Sequence, residues 1–346
     1  MAASNTTRIV ILGKTGSGKS SLANTIFGEK DRFTINHTLN SEKTECRAET
    51  KSVNGRSITL IDTPGFFDTD RSKEKLKPAI VRCITECAPG PHAFFIVLRV
   101  EKFTEQEQAV ITELNQYFSE EVFKYATVIF THGDQLDEGQ KIEDAVHQNK
   151  LTSELVKKCG GRCHVIDNKY WKNNQQEKYR NNQFQLEELL KSIDKTLKAN
   201  KGSCYTNKML QAVDDKIQQE KKCIRQSSGH MSEKEITEQA KDRVYHWLWI
   251  KLAGITTGAL LGALFGVLSM GREVVTVITN IGAATAGGVI GGMSLGTRVG
   301  ISALSGAAKG GLTGYLAAEG ADSPQEAAER AAKAVVNEAL SPFKAL

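Results

Sequence analysis

Residues 13–20, GKTGSGKS, constrain the fold more than any other stretch of the chain. They satisfy GxxxxGKS through Gly13, Gly18, Lys19 and Ser20, and they directly follow an apolar strand candidate at 8–12. A loop of this pattern wraps backbone N–H groups around phosphate oxygens, which demands glycine where a Cβ would collide. Lys19 then supplies a cation to the terminal phosphates, and Ser20 a hydroxyl to Mg²⁺. A helix is predicted to begin at about Lys19, so its N-terminal dipole also faces the anion. The candidate cradle is Gly13, Lys14, Thr15, Gly16, Ser17, Gly18, Lys19, Ser20 and Ser21. The competing reading is a glycine-rich turn that binds nothing, and the preceding strand weighs against it.

Downstream, residues 21–27 continue that helix and Gly28 closes it. A polar stretch to about Glu42 has no clear periodicity, which suits a loop near the phosphates. Residues 44–53 and 57–61 alternate apolar and polar around Asn54-Gly55, a favoured hairpin turn. The second strand ends at Asp62-Thr63-Pro64-Gly65, where Asp62 can reach the Mg²⁺ shell and Gly65 can offer its N–H to a third phosphate. DTPG is also ordinary turn chemistry; its place downstream of the phosphate loop favours the sensing role.

A helix over 78–87, a rigid turn over 87–92 and an apolar strand over 93–100 come next. Thr104 is predicted to open a helix to about Phe118, with Glu107 completing a capping box. Strand 126–131, helix 142–158, strand 164–167 and helix 184–197 finish the alternation. The pattern predicts an α/β fold, a mostly parallel six-stranded sheet with helices on both faces.

Ligand specificity in such a sheet falls to loops at the carboxyl ends of the later strands. Thr131-His132-Gly133-Asp134 is one such loop. A carboxylate at Asp134 matches the adjacent N1–H and N2–H₂ donors of guanine, which adenine lacks in that arrangement, and the His132 ring can stack on the base. A solvated loop carboxylate is the plainer alternative for Asp134. Asn168 is the candidate partner for the base carbonyl, although Asn is also a common turn residue.

The formal charge of +5 is mild and does not call for nucleic acid, while it suits an anionic membrane surface. Seven cysteines and a start without a basic or apolar leader pattern suggest a cytosolic setting with reduced thiols. Cys83/Cys87 and Cys159/Cys163 raise a zinc reading, but CxxxC spacing favours ordinary thiols.

The segments 13–21, 62–68 (DTPGFFD) and 87–107 (CAPGPHAFFIVLRVEKFTEQE) resemble the GTPases of the immunity-associated protein family, the GIMAPs, a septin-like group of P-loop GTPases. The resemblance covers about residues 5–205 and implies a G domain binding GTP or GDP with Mg²⁺, with nucleotide-dependent pairing of G domains. It matches His132 and Asp134 to the family's variant base-reading loop and Asn168 to its last loop. The family's switch Thr falls at Lys43 here, with Thr44 beside it, so Thr44 is the candidate metal-sensing residue and a plain strand residue is its alternative. Small G proteins orient water with a Gln shortly after the DxxG glycine. Here Phe66 and Phe67 follow Gly65, so no catalytic side chain is assigned and hydrolysis is expected to be slow or partner-dependent.

Residues 206–246 read as a charged helical extension, with Met209, Val213 and Ile217 in an i, i+4 stripe and a capping box at Ser232/Glu235. Residues 247–320 turn apolar and Gly/Ala-rich. Segments 252–271 and 274–297 are nearly long enough to cross a bilayer as helices, with glycines every fourth residue at 254–266 and again at 288–300. Trp247 and Trp249 would lie at the interface. A flexible tail or a soluble hairpin is the alternative. Residues 321–346 predict a final amphipathic helix, capped at Ser323. Together these features describe a GTP-binding switch that self-associates through its G domain on the cytosolic face of an intracellular membrane. A soluble turnover GTPase and a glycine-zipper scaffold with a passive G domain are the competing readings.

Overall fold

The computed structural model describes residues 6–34, 45–68, 73–101, 105–171, 177–227 and 230–279. The chain divides into two compact units, 1–207 and 208–346. Thr44, Lys43, Thr104, the glycines from 282 onward and the final helix at 321–346 lie outside the described residues.

The first unit runs β1 (Thr7–Leu12), α1 (Lys19–Phe27), β2 (Arg47–Val53), β3 (Arg56–Asp62), α2 (Lys77–Cys87), β4 (Ala93–Arg99), α3 (Glu105–Tyr117), α4 (Glu120–Tyr125), β5 (Ala126–Thr131), α5 (Ile142–His147), α6 (Lys150–Lys158), β6 (Cys163–Val165) and α7 (Asn182–Ala199). The strands form one sheet in the order β2-β3-β1-β4-β5-β6. Only the β2–β3 hairpin in this sheet is antiparallel. Asn54 and Gly55 both take positive φ, 50° and 77°, as a tight hairpin with right-handed twist requires.

Successive side chains on a strand point to opposite faces, so both faces of a central strand need cover. On one face Ile9, Ile11, Phe95 and Val97 form a core with Leu22 and Ile26 of α1 and Leu189 and Ile193 of α7. Phe94, one residue from Phe95, serves the other face: its ring centroid is 6.1 Å from Phe118 and 5.5 Å from Tyr205. The expected doubly covered sheet is what the chain forms.

The helices of this unit depart from expectation in two places. The helix predicted over 142–158 is two helices, because Asn149 caps a fresh start: its side chain accepts hydrogen bonds from Thr152 N–H at 3.0 Å and Thr152 Oγ1 at 2.8 Å. The short helix α4 went unpredicted; the Arg162 guanidinium holds its end by donating to the carbonyls of Phe123 and Lys124. The Glu107 carboxylate of α3 accepts from the Lys14 ammonium; the capping box expected with Thr104 falls outside the described residues.

The box at 87–93 serves the scaffold. His92 N–H donates to Arg8 O at 2.8 Å, and Arg8 N–H donates to His92 Nδ1 at 3.1 Å. Burial first, and the Arg8 guanidinium second, push the His92 pKa down to about 4, so the imidazole stays neutral and keeps its acceptor. On the other side, Tyr205 N–H donates to Pro91 O at 2.9 Å and Thr206 Oγ1 to Pro89 O at 2.8 Å. The box thus clasps the start of β1 and the end of the first unit.

The second unit contains α8 (Lys208–Ser227), α9 (Glu233–Lys251), α10 (Thr257–Leu264) and α11 (Leu268–Thr279). Met209, Val213, Ile217 and Ile224 of α8 are buried, as are Ile236, Ala240, Val244 and Leu248 of α9. The capping box of α9 forms as expected, with Ser232 N–H donating to Glu235 Oε2 at 2.8 Å. The two helices run antiparallel, as Arg225–Glu233 at 2.7 Å, Arg243–Glu220 at 3.6 Å and Lys216 over the Trp247 ring at 5.9 Å show.

The long apolar helix expected over 252–271 does not form. Thr256 starts a new helix, its Oγ1 accepting from Ala259 N–H at 3.3 Å, and Gly266, at φ 80°, follows its end. No helix among the described residues is long and apolar enough to cross a membrane. Leu252, Leu260, Leu261, Phe265 and Val274 are buried within this unit, where α10 packs on α11 and α11 on α8.

Candidate functional site: the phosphate loop and its cleft

The carboxyl ends of β1, β3, β4, β5 and β6 share one edge of the sheet, and β1, with β3 on one side and β4 on the other, delivers the phosphate loop there. The loop passes so close to β4 that a Cβ on Gly13 would strike the Val97 carbonyl, and Gly13 sits at φ 151°, where side chains are disfavoured. The loop then feeds α1, which begins at Lys19 as expected.

Lys19 is buried, and its ammonium donates to the carbonyls of Gly13 at 2.9 Å and Lys14 at 2.8 Å, closing the loop into a ring. Ser20 Oγ donates to Asp62 Oδ2 at 2.6 Å, so the hydroxyl and the carboxylate meet although 42 residues separate them. Thr63 Oγ1, donating to Ile11 O at 2.7 Å, pins the end of β3 to β1 and thereby fixes Asp62. A paired hydroxyl and carboxylate are the hard oxygen donors that suit Mg²⁺. Among the described residues no three His, Cys, Asp or Glu side chains cluster in a way that could hold a metal ion.

Lys14 is held away from the loop interior by Glu107 of α3 and by Glu101, the latter at 3.7 Å. Thr15 donates from its N–H and its hydroxyl to Asp68, which follows the buried pair Phe66 and Phe67. Phe67 packs edge-on against Phe118, centroids 6.3 Å apart, so the two phenylalanines anchor the DTPG turn.

The cleft beside the loop is about 900 Å³ and is lined by Thr15, Gly16, Gly18, Lys19, Ser20, Ser21 and Gly65 from the phosphate side and by His132 and Asn168 from the other. That volume and concavity suit a small-molecule ligand. Gly13, Lys14, Ser17, Asp62 and Asp134, expected at the site, do not line this cleft. Asn168 is tied to α1, its Oδ1 accepting from Thr25 Oγ1 at 3.0 Å. Thr131 Oγ1 donates to Ser17 O at 2.8 Å, joining the base-side loop to the phosphate loop.

His132 takes the left-handed conformation, φ 59°, and burial first, then Arg99, lowers its pKa, so it presents a neutral ring. Asp134 turns towards Asp167. The hydrogen bond between the two carboxyls, and then burial, raise the Asp134 pKa; burial opposes ionisation of Asp167, but the bonds from Asp134 and from the N–H groups of Tyr170 and Lys169 keep it charged. Sequence reasoning missed Trp171, a buried ring that supports this loop so closely that a Cβ on Gly133 would overlap it. It also missed Asp68 and the Lys14–Glu107 pair. A large aromatic just beyond Asn168 and a carboxylate just beyond Phe67 were the available signals.

Cys159 and Cys163 are buried, and desolvation pushes their thiols up to about 12 and about 11. Cys83 and Cys87 lie 3.7 Å apart on successive turns of α2.

A profile of the AIG1 family matches residues 7–226, from the start of β1 into α8. Immune-associated nucleotide-binding protein 8 of Arabidopsis thaliana is 33% identical over 232 residues, covering 65% of this chain and 64% of that protein. The chain therefore spans just under two thirds of that relative's length. GTPase IMAP family member 8 of Mus musculus is 30% identical over 168 residues, 46% of this chain and 24% of that protein. Toc33 from Arabidopsis thaliana, solved with GDP and Mg²⁺, superposes over 56% of this chain and 84% of its own with a TM-score of 0.43 and 19% identity. The family match covers more than half of the chain, and its P-loop, its DTPG turn and its base-side loop stand around one cleft: the chain belongs to the AIG1 family.

Proposed function

We propose that the chain is a guanine-nucleotide-binding switch. The observation that carries this reading is the cleft itself, where Lys19, Ser20 and Gly65 meet His132 and Asn168. The names of the Arabidopsis and mouse relatives, a nucleotide-binding protein and a GTPase, agree with it. Mg²⁺ would be held by Ser20 and Asp62, with Thr44 as a further candidate, and when bound it supplies positive charge against the phosphates. Lys19 binds the terminal phosphates, Gly65 offers an N–H to the third, His132 stacks on the base, and Asn168 meets its carbonyl. Asp134 reads the guanine donors once it turns from Asp167 to the base.

Changing Asp134 to Asn replaces an acceptor pair with one acceptor and one donor. The expected result is a loss of GDP affinity of about a hundredfold, with a gain for xanthosine diphosphate, since charge-assisted hydrogen bonds contribute roughly 1.5–3 kcal/mol each. Titration calorimetry with both nucleotides checks it, and unchanged selectivity would refute the role of Asp134.

Hydrolysis is proposed to be slow, because Phe66 and Phe67 are buried anchors that cannot orient water. Self-association through the G domain is proposed to raise turnover, so the rate per chain should climb with protein concentration. A fast rate independent of concentration would instead mark a soluble turnover enzyme.

The membrane proposal is narrower than the sequence suggested. Much of the apolar surface of 252–279 is used inside the helical unit, which leaves 280–320 to contact the bilayer. Flotation with anionic vesicles should separate the full chain from one ending at Thr279; equal partitioning would remove the membrane proposal.

A further inference from the structure

The turn after β3 returns a carboxylate to the phosphate loop. Phe66 N–H donates to Pro64 O at 2.8 Å and Asp68 N–H to Gly65 O at 3.2 Å, so the backbone folds tightly over Gly65. A Cβ on Gly65 would overlap the Asp68 carboxylate. With Phe66 and Phe67 fully buried, the next side chain is delivered to Thr15: Thr15 N–H donates to Asp68 Oδ1 at 2.8 Å, and Thr15 Oγ1 donates to Oδ2 at 2.6 Å. Thr15 and Gly65 both line the cleft with Lys19 and Ser20.

A carboxylate on a loop amide imitates a phosphate, since each presents anionic oxygens to the same donor. One N–H cannot serve both well, and two anions at neighbouring positions repel. Gly65, whose N–H is the one a third phosphate takes, lies in the turn that carries Asp68. A third phosphate therefore arrives where Asp68 is already held.

We propose that Asp68 sets the preference between nucleoside diphosphate and triphosphate: bonded to Thr15 it opposes a third phosphate, and triphosphate binding requires its release. Release frees Gly65 to Asp68 from the phosphate loop, so the same contact couples the nucleotide state to the turn that follows β3. The inference rests on the cleft taking a nucleotide and does not depend on which base is read.

The test measures, on the full chain with Mg²⁺, the ratio of dissociation constants for a non-hydrolysable GTP analogue and for GDP. Asp68→Asn keeps the shape and an acceptor but removes the charge; Thr15→Val keeps the N–H but removes the hydroxyl. The ratio is expected to fall by about tenfold in Asp68→Asn, the scale of one charge-assisted contact, and by less in Thr15→Val. An unchanged ratio in both variants, with GDP still bound, overturns the inference alone. A wild-type chain that binds neither nucleotide overturns the nucleotide reading and this inference with it.

Discussion

Replacing Lys19 with alanine is expected to weaken GDP binding by about a hundredfold or more, the largest functional loss from any single change in the cleft. Two effects add. The ammonium is the cation the loop offers to the terminal phosphates, and hydrogen bonds to charged groups contribute roughly 1.5–3 kcal/mol each. The same group bonds the carbonyls of Gly13 and Lys14, which keeps the loop closed so that its amides converge. Alanine removes both the ligand and the brace. Arginine should not rescue, because its planar fork cannot replace a compact ammonium inside the ring. Titration calorimetry reads the loss directly, and circular dichroism of the variant checks that the sheet is intact. Affinity within a few-fold of wild type would mean that the loop does not hold phosphate.

The second large effect is structural and falls far from the cleft. Gly90 sits at φ 155° in the box at 87–93, and a Cβ there would overlap the carbonyl of Tyr205. Because the neighbour is backbone, it cannot swing aside as a side chain would. Gly90→Ala must either break the Tyr205 N–H to Pro91 O bond or shift the chain around His92. Backbone strain of this kind costs about 1–3 kcal/mol, and the lost contacts add to it. A fall in the thermal midpoint of roughly 10 °C is expected for a domain of this size. The phosphate loop should stay competent, so GDP affinity measured well below the midpoint should be nearly unchanged. A normal midpoint would show that the clasp between this box and the end of the first unit does not matter for stability.

Much of the first unit was legible because its signals are local. The strand at 126–131, the loop at 13–20 and the Asn54-Gly55 turn each declare themselves within a few residues. The mostly parallel six-stranded sheet follows from strand–helix alternation, with a single hairpin as the exception; the order of its strands does not. What escaped is non-local. Lys14 and Glu107 are 93 residues apart, and Thr15 and Asp68 are 53 apart; no periodicity couples such positions. In the 142–158 stretch the apolar pattern ran through Asn149, and only the cap reveals the break.

The apolar stretch 252–271 misled for a different reason. Length and lack of charge suit a membrane helix and a buried helical pair equally, and the difference lies in Thr256 and Gly266, which start and stop a helix of eight residues. Glycine spaced every fourth residue looks like a packing stripe only if one helix carries it all. Of the candidate site, the phosphate half was readable from its pattern, whereas the base half depended on which loops the fold brings beside α1. Asp134 pairs with Asp167, its N–H donating to Asp167 Oδ2 at 3.4 Å, a pairing that only the approach of two loops creates.

The most direct test of the account is the nucleotide carried by the purified full-length chain, released by denaturation and identified by chromatography. The account predicts guanosine diphosphate or triphosphate in stoichiometric amount, retained only when Mg²⁺ is present during purification. Adenine nucleotide in its place, or a chain that carries none and takes up none when incubated with GDP and Mg²⁺, would contradict it.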